Sequence, residues 1–248
     1  MVTTQHPLEP IGHIRGQMSL SEQAHSAFLS RYAVFGHFYD VEMCNGSVYQ
    51  FRSALELIEG GKEDCLADMR SSSPDCLVVM MNPGSSSPTQ PATICRYQQG
   101  QSLAPKRLVA TNPDDTQYRV MELMAARGWR HVRVLNISDL RISDSKKFIL
   151  TFRTVEKLNY LEHSIFHPIR KAELDIELPT SRDTPIVLAW GVNPGLRMLA
   201  ENAISSLERF PTRNGWKKQG NDWAYYHPLP RSADHQRKWV SILAGFGR

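Results

Sequence analysis

Four short apolar runs stand out along the chain: CLVVMM at 76–81, VRVLNI at 132–137, IVLAW at 186–190 and WAYY at 223–226. Runs this short, rich in β-branched and aromatic residues, suit strands covered on both faces. Between them apolar residues recur at helical spacing, from Tyr118 to Arg127 with Gly128 as a stop, from Leu196 to Leu207, and from Asp234 to Leu243. Strand and helix in alternation predict a parallel sheet with helices on both sides. The expected class is therefore α/β, a three-layer α/β/α sandwich around a central, mainly parallel sheet of four to five strands.

The first third of the chain reads differently. Residues 19–33 open on a capping pattern, Ser19 or Ser21 ahead of Glu22, and carry Ala24, Ala27, Phe28 and Leu29 at helical spacing. Aromatic and β-branched residues from Tyr32 to Phe51 flank Cys44-Asn45-Gly46, a turn signal that predicts a hairpin. Residues 53–69 have a helical pattern, broken at Gly60-Gly61 and ended by the serines at 71–73 and Pro74. The segment 85–116, rich in Ser, Gln, Pro and Thr, is long for a plain connection and predicts a functional or mobile loop. With 248 residues and 41% hydrophobic content, one core suffices. We expect a single domain over 1–248, with the helix and hairpin of about 1–70 as an extension.

Composition narrows the class of function. No stretch approaches the roughly 18 apolar residues of a membrane span, and MVTTQHPLEP lacks the basic and apolar regions of an export signal. This predicts a cytoplasmic protein, with no membrane partner. Cys44, Cys65, Cys76 and Cys95 are irregularly spaced, and His163 and His167 lack a third ligand in context, so no metal and no other cofactor is expected. Charge is uneven: residues 209–248 hold eight Lys/Arg against Asp222 and Asp234, a net +6, whereas the remainder is −2. A polyanionic partner or a solvated basic tail explains it equally well.

Ligands of open parallel sheets bind beyond the carboxyl ends of the strands. The runs end in Asn82-Pro83-Gly84-Ser85-Ser86-Ser87, Asn136-Ile137-Ser138, Gly191-Val192-Asn193 and His227-Pro228-Leu229-Pro230. Two amides, several hydroxyls and an imidazole are thus predicted to converge on one cleft.

In order and content these blocks resemble the uracil-DNA glycosylase superfamily over roughly 76–243. NPG is similar to that superfamily's first motif in its single-strand-selective and mismatch-specific branches. VLNISDLR resembles the strand ending in a base-reading asparagine, IVLAWG the strand ending in Trp-Gly, and HPLPRS the HPSPLS-like loop. The pattern also resembles DUF1643, a bacterial family of unknown function. The first resemblance implies a monofunctional DNA glycosylase, acting on DNA as a monomer and hydrolysing the bond between a flipped base and its deoxyribose. Asn82 and His227 are then the catalytic pair, one holding water and the other donating to a pyrimidine carbonyl. Asn136 reads the base edge and Tyr97 stacks on it, with Tyr118 or Trp129 as other choices for the stacking ring. Gly84, Ser85, Ser86 and Ser87 bind flanking phosphates. Leu229 or Arg231, with Ser232, enters the minor groove, and Lys217 and Lys218 add affinity for DNA.

In the branch strictest for uracil, a tyrosine follows the motif's proline and blocks pyrimidine C5. Gly84 stands there in this chain, which implies tolerance of a C5-modified pyrimidine, hydroxymethylated or glucosylated, and a use against modified viral DNA. Excision of plain uracil in repair, or DNA binding without catalysis, are the competing readings.

Overall fold

The computed structural model describes residues 20–61, 66–90, 94–103 and 106–246. Along them run α1 (Leu20–Arg31), β1 (Tyr32–Glu42), β2 (Val48–Glu59), α2 (Leu66–Ser71), β3 (Cys76–Met80), β4 (Ser87–Pro88), β5 (Cys95–Gln98) and β6 (Val109–Asn112). There follow α3 (Asp115–Arg127), β7 (His131–Asn136), α4 (Ser145–Lys157), α5 (Lys171–Glu177), β8 (Ile186–Ala189), α6 (Arg197–Ser206), β9 (Arg213–Asn214) and α7 (Ala233–Gly245).

The fold is α/β, and its sheet is mixed. Among the described residues nine strands take the order β4-β6-β1-β2-β7-β3-β8-β9, with β5 also on β1. Strands β7, β3, β8 and β9 run parallel, while β2 lies antiparallel to both β1 and β7. The sheet is thus wider than the four to five mainly parallel strands expected from the apolar runs. Its extra width comes from the hairpin, which joins the middle of the sheet through β2, and from the 85–116 segment, whose β4, β5 and β6 build out beyond β1.

Residues 53–59 correct the helical reading. Ala54, Leu55, Glu56 and Leu57 are good helix formers, yet 51–58 are all buried within β2, between β1 and β7. Burial on both faces of a central strand outweighs a propensity of a few tenths of a kcal/mol per residue. The run 223–226 is also corrected. It makes isolated antiparallel bridges from Tyr225 to Gly191 and Lys217, because β9 already occupies the parallel position beside β8. The helices expected at 118–127, 196–207 and 234–243 appear as α3, α6 and α7. Ser19 and Cys65 lie outside the described residues.

Period-two alternation divides the core between the two faces. Leu77, Val79 and Leu135 meet Phe148 and Phe152 of α4 and Leu199 and Ala203 of α6. Cys76, Val78, Met80, Val132 and Val134 meet Val120, Met121 and Met124 of α3 and Trp239 and Leu243 of α7. Helix α3 starts on a capping box of Asp114 and Gln117 and stops at Gly128 in the left-handed region, φ 69°. No described helix is long and apolar enough to cross a membrane.

Charge is buried where β2 meets β7. The fully buried Glu56 accepts from Arg133 Nε at 2.8 Å and pairs with His131 Nε2 at 2.8 Å. Arg133 also donates to the Glu177 and Arg70 carbonyls. Removing Glu56 takes away the carboxylate that faces the buried Arg133 guanidinium and the His131 ring. Glu56→Ala is expected to cost about 3–5 kcal/mol, read as a shift in the urea midpoint at unchanged slope; a loss under about 1 kcal/mol would mean that the pair is solvated.

Candidate active site

The carboxyl ends of β3 and β8 open into a cleft of about 440 Å³. Asn82, Gly84 and Ser85 line it from the turn after β3, and Trp190 to Asn193 from the turn after β8. His227, Leu229, Pro230 and Arg231 close one side, while Asp114, Thr116, Ser143 and Ser145 supply a polar wall. Met81, Ile149, Val192 and Leu196 are apolar. Six of the predicted positions, Asn82, Gly84, Ser85, His227, Leu229 and Arg231, therefore share one cavity.

Asn82 is nearly buried, and its Nδ2 donates to the carbonyls of Leu140 at 3.2 Å and Ile142 at 2.6 Å. Both carbonyls lie on the loop that follows β7. With its donors committed there, the side chain offers the cleft its amide oxygen, an acceptor on a rigid strand end.

His227 is held within its own turn. Its Nδ1 accepts from the Leu229 backbone N–H at 3.2 Å, a local turn stiffened by Pro228 and Pro230. A ring nitrogen that accepts carries no proton, so the proton of the neutral ring sits on Nε2. Burial pushes the imidazole pKa down to about 4, against the pull of the Asp114 carboxylate. At neutral pH the ring is an uncharged donor.

Asp114 had no signal in the sequence beyond helix capping. Its Oδ1 accepts from Thr116 N at 3.0 Å, capping α3, and its Oδ2 accepts from Ser85 N at 3.1 Å. One carboxylate thus ties the helix to the turn after β3. Gly84 sits in the left-handed region at φ 67°, and a Cβ there would run into Asp114 Oδ2. The glycine is explained by backbone conformation and by this carboxylate, which corrects the view of Gly84 as open space beside pyrimidine C5. The same carboxylate corrects the phosphate-binding reading of 84–87, since it already occupies the Ser85 N–H and would repel a phosphate. Ser86 is buried and bonded to Arg52 and Arg141, and Ser87 pairs with Asn112 in the sheet.

Other predicted residues lie elsewhere. Tyr97 packs in the core edge-on to Tyr39, with ring centroids 6.2 Å apart, because β5 is drawn against β1. Tyr118 stacks on His25 and Trp129 lies beneath Arg127, so no predicted stacking ring lines the cleft. Asn136 is fully buried at the end of β7, outside the cleft lining, and neither amide atom has a hydrogen-bond partner. Lys217 pairs with Asp222 and, with Lys218, lies on the strip that flanks Ala224 and Tyr225, away from the cleft wall. Ser232 is exposed at the start of α7. His163 bonds Ser138 Oγ and approaches Glu156, and His167 caps a short turn at Ile169.

The folded His227 pKa lies below the unfolded value of about 6.5, so unfolding takes up a proton between the two. The stability this group contributes is whole above about pH 6.5 and falls as the pH drops toward 4. Proton-detected or nitrogen-15 NMR titration is expected to find His227 as the neutral Nε2–H tautomer at pH 6, with a midpoint below 5; a midpoint near 6.5 would contradict the desolvated site.

Comparison of the chain with family models, with curated proteins and with solved structures finds no match.

Proposed function

We propose that this protein is a monofunctional DNA glycosylase that hydrolyses the N-glycosidic bond of a flipped-out pyrimidine. The observation that carries the reading is the pairing, across one cleft, of a fixed amide oxygen at Asn82 with a neutral imidazole donor at His227. Cleavage of a deoxynucleoside builds positive charge on the sugar and negative charge on the departing base. The Asn82 oxygen holds a water for attack at C1′; the C1′–N1 bond breaks with its electron pair passing to the base, the water oxygen bonds to C1′, and the proton that the water loses ends on the departing base anion. Nε2–H of His227 donates to the base O2 as that charge develops. A neutral donor serves here without placing a fixed cation beside the sugar. A preorganised donor of this kind contributes about 10²- to 10³-fold in rate. Among the described residues no lysine lines the cleft, in keeping with attack by water rather than by an amine that would form a Schiff base.

The volume suits a base and its sugar, and Arg231 and Leu229 at the rim suit contact with a DNA strand. A C5 substituent is favoured by the polar wall rather than by Gly84: the hydroxyls of Thr116, Ser143 and Ser145 and the Asp114 carboxylate are partners for a hydroxymethyl or glucosyl group. We place the enzyme in the cytoplasm, acting as a monomer on modified DNA.

The test is incubation with DNAs carrying uracil, hydroxymethylated or glucosylated pyrimidines, followed by alkaline cleavage. Strand breaks at the modified position are expected. Asn82→Ala should abolish them while leaving DNA binding intact, and His227→Gln should slow them by about 10²- to 10³-fold. Binding without breaks on every DNA would replace the enzyme with a binding protein. The acid limb of activity should lie well below pH 6.5, since His227 stays neutral to about 4; an acid limb at 6.5 would assign the donor to another group.

A further inference from the structure

Arg52 on β2 is fully buried, and one edge of its guanidinium is without a hydrogen-bond partner. Nη1 donates to Ser86 Oγ, whereas Nε and Nη2 have no hydrogen-bond partner. Those two nitrogens form the fork that meets the two oxygens of a carboxylate or phosphate side by side. The Asp114 and Asp139 charges act on Arg52 through space, and burial lowers its pKa only to about 10, so it is a cation at neutral pH. A second guanidinium converges on the same residue: Arg141 Nη2 donates to the Ser86 carbonyl at 2.8 Å, and its Nε is also without a partner.

Asn136 adds a third unpartnered group. It is fully buried, and pleat alternation puts it on the face of Val132 and Val134, the side packed by α3. Helix α3 begins at Asp114, the residue that both lines the cleft and bonds Ser85. Gly84 and Ser85 line the cleft, and Ser86, the next residue, carries both arginines. The 83–86 turn is thus the partition between the cleft and these cations. A buried guanidinium with its fork unpaired is costly unless something pairs with it, and holding one serine hydroxyl does not require a cation.

We propose that Arg52, with Arg141 and Asn136, forms an oxyanion-binding subsite behind the 83–86 turn, taking a carboxylate or phosphate group. Arg52 supplies the bidentate edge, Arg141 a further charge, and Asn136 a neutral donor or acceptor for the remainder of the group. The chemistry rests on these side chains; only the identity of the molecule that delivers the anion rests on the glycosylase reading. Under that reading two sources share this chemistry, an anionic substituent on the bound pyrimidine and a phosphate of the DNA strand.

Thermal unfolding of the full chain reads the subsite without any turnover. The probes are inorganic phosphate against potassium chloride at matched ionic strength, 5-carboxy-2′-deoxyuridine against thymidine, and a short single-stranded oligonucleotide with an abasic position. We expect phosphate to raise the Tm of the parent above the chloride control and Arg52→Met to lose that rise. An Arg52-dependent shift with the carboxylated nucleoside assigns the source to the base, and one with the abasic oligonucleotide to the backbone. If Arg52→Met does not fold, Arg52→Lys keeps the charge and removes the fork, and it should bind the responding probe about tenfold more weakly. Shifts that are equal in parent and variant, or absent with every probe, would overturn the subsite. A protein that shows the shifts but cleaves no DNA would keep the subsite and refute the glycosylase reading.

Discussion

Strands covered on both faces can meet solvent only at their ends, and this constraint governs the molecule. Strands β3, β7 and β8 are lined above by α3 and α7 and below by α4 and α6, so their side chains between the termini are spent on the core. Apart from His131, Arg133 and Asn136 of β7, polar chemistry is confined to the first residues past each strand. Asn82 and Gly191 are there because nowhere else along β3 or β8 is free. The loop after β7 contributes by lending two carbonyls to Asn82, which turns a flexible amide into a fixed acceptor.

The runs at 76–81 and 186–190 were legible because burial on both faces leaves an almost unbroken apolar signature, and 132–137 because Val132, Val134, Leu135 and Ile137 keep a strand pattern around Arg133 and Asn136. Residues 53–59 were not, since Ser53 and Glu56 interrupt the run and Ala54, Leu55 and Leu57 favour a helix in isolation. Glu56 belongs in a strand only because Arg133 and His131 arrive from a strand 75 or more residues away to meet it. In the site, Asn82 and His227 could be read from their neighbours, the prolines and glycine that end a strand or stiffen a turn. Asp114 could not. Its sequence context announces a helix cap, and only the fold brings that cap against Ser85 and the space over Gly84.

Asp114 also changes how the first motif is understood. A glycine after Asn-Pro looks like room for substrate when neighbours in sequence are all that is visible. In the folded chain that room is claimed by a carboxylate from 30 residues further on. The turn is consequently a junction: it ends β3, receives the start of α3, and through Ser86 rests on two arginines. A negative charge on one side and positive charge on the other give this short segment a strong local field across it.

The two walls of the cleft are anchored unequally. Asn82 inherits the rigidity of a central strand, whereas His227 follows a segment joined to the sheet by single bridges at Tyr225. What holds the imidazole wall from the other side is α7: Trp239 Nε1 donates to the Tyr226 carbonyl at 3.0 Å and Gln236 Nε2 to the Pro230 carbonyl at 2.8 Å. Those carbonyls bracket His227. The donor half of the site is therefore suspended from α7, and the seating of that helix on α3 sets the aim of the imidazole.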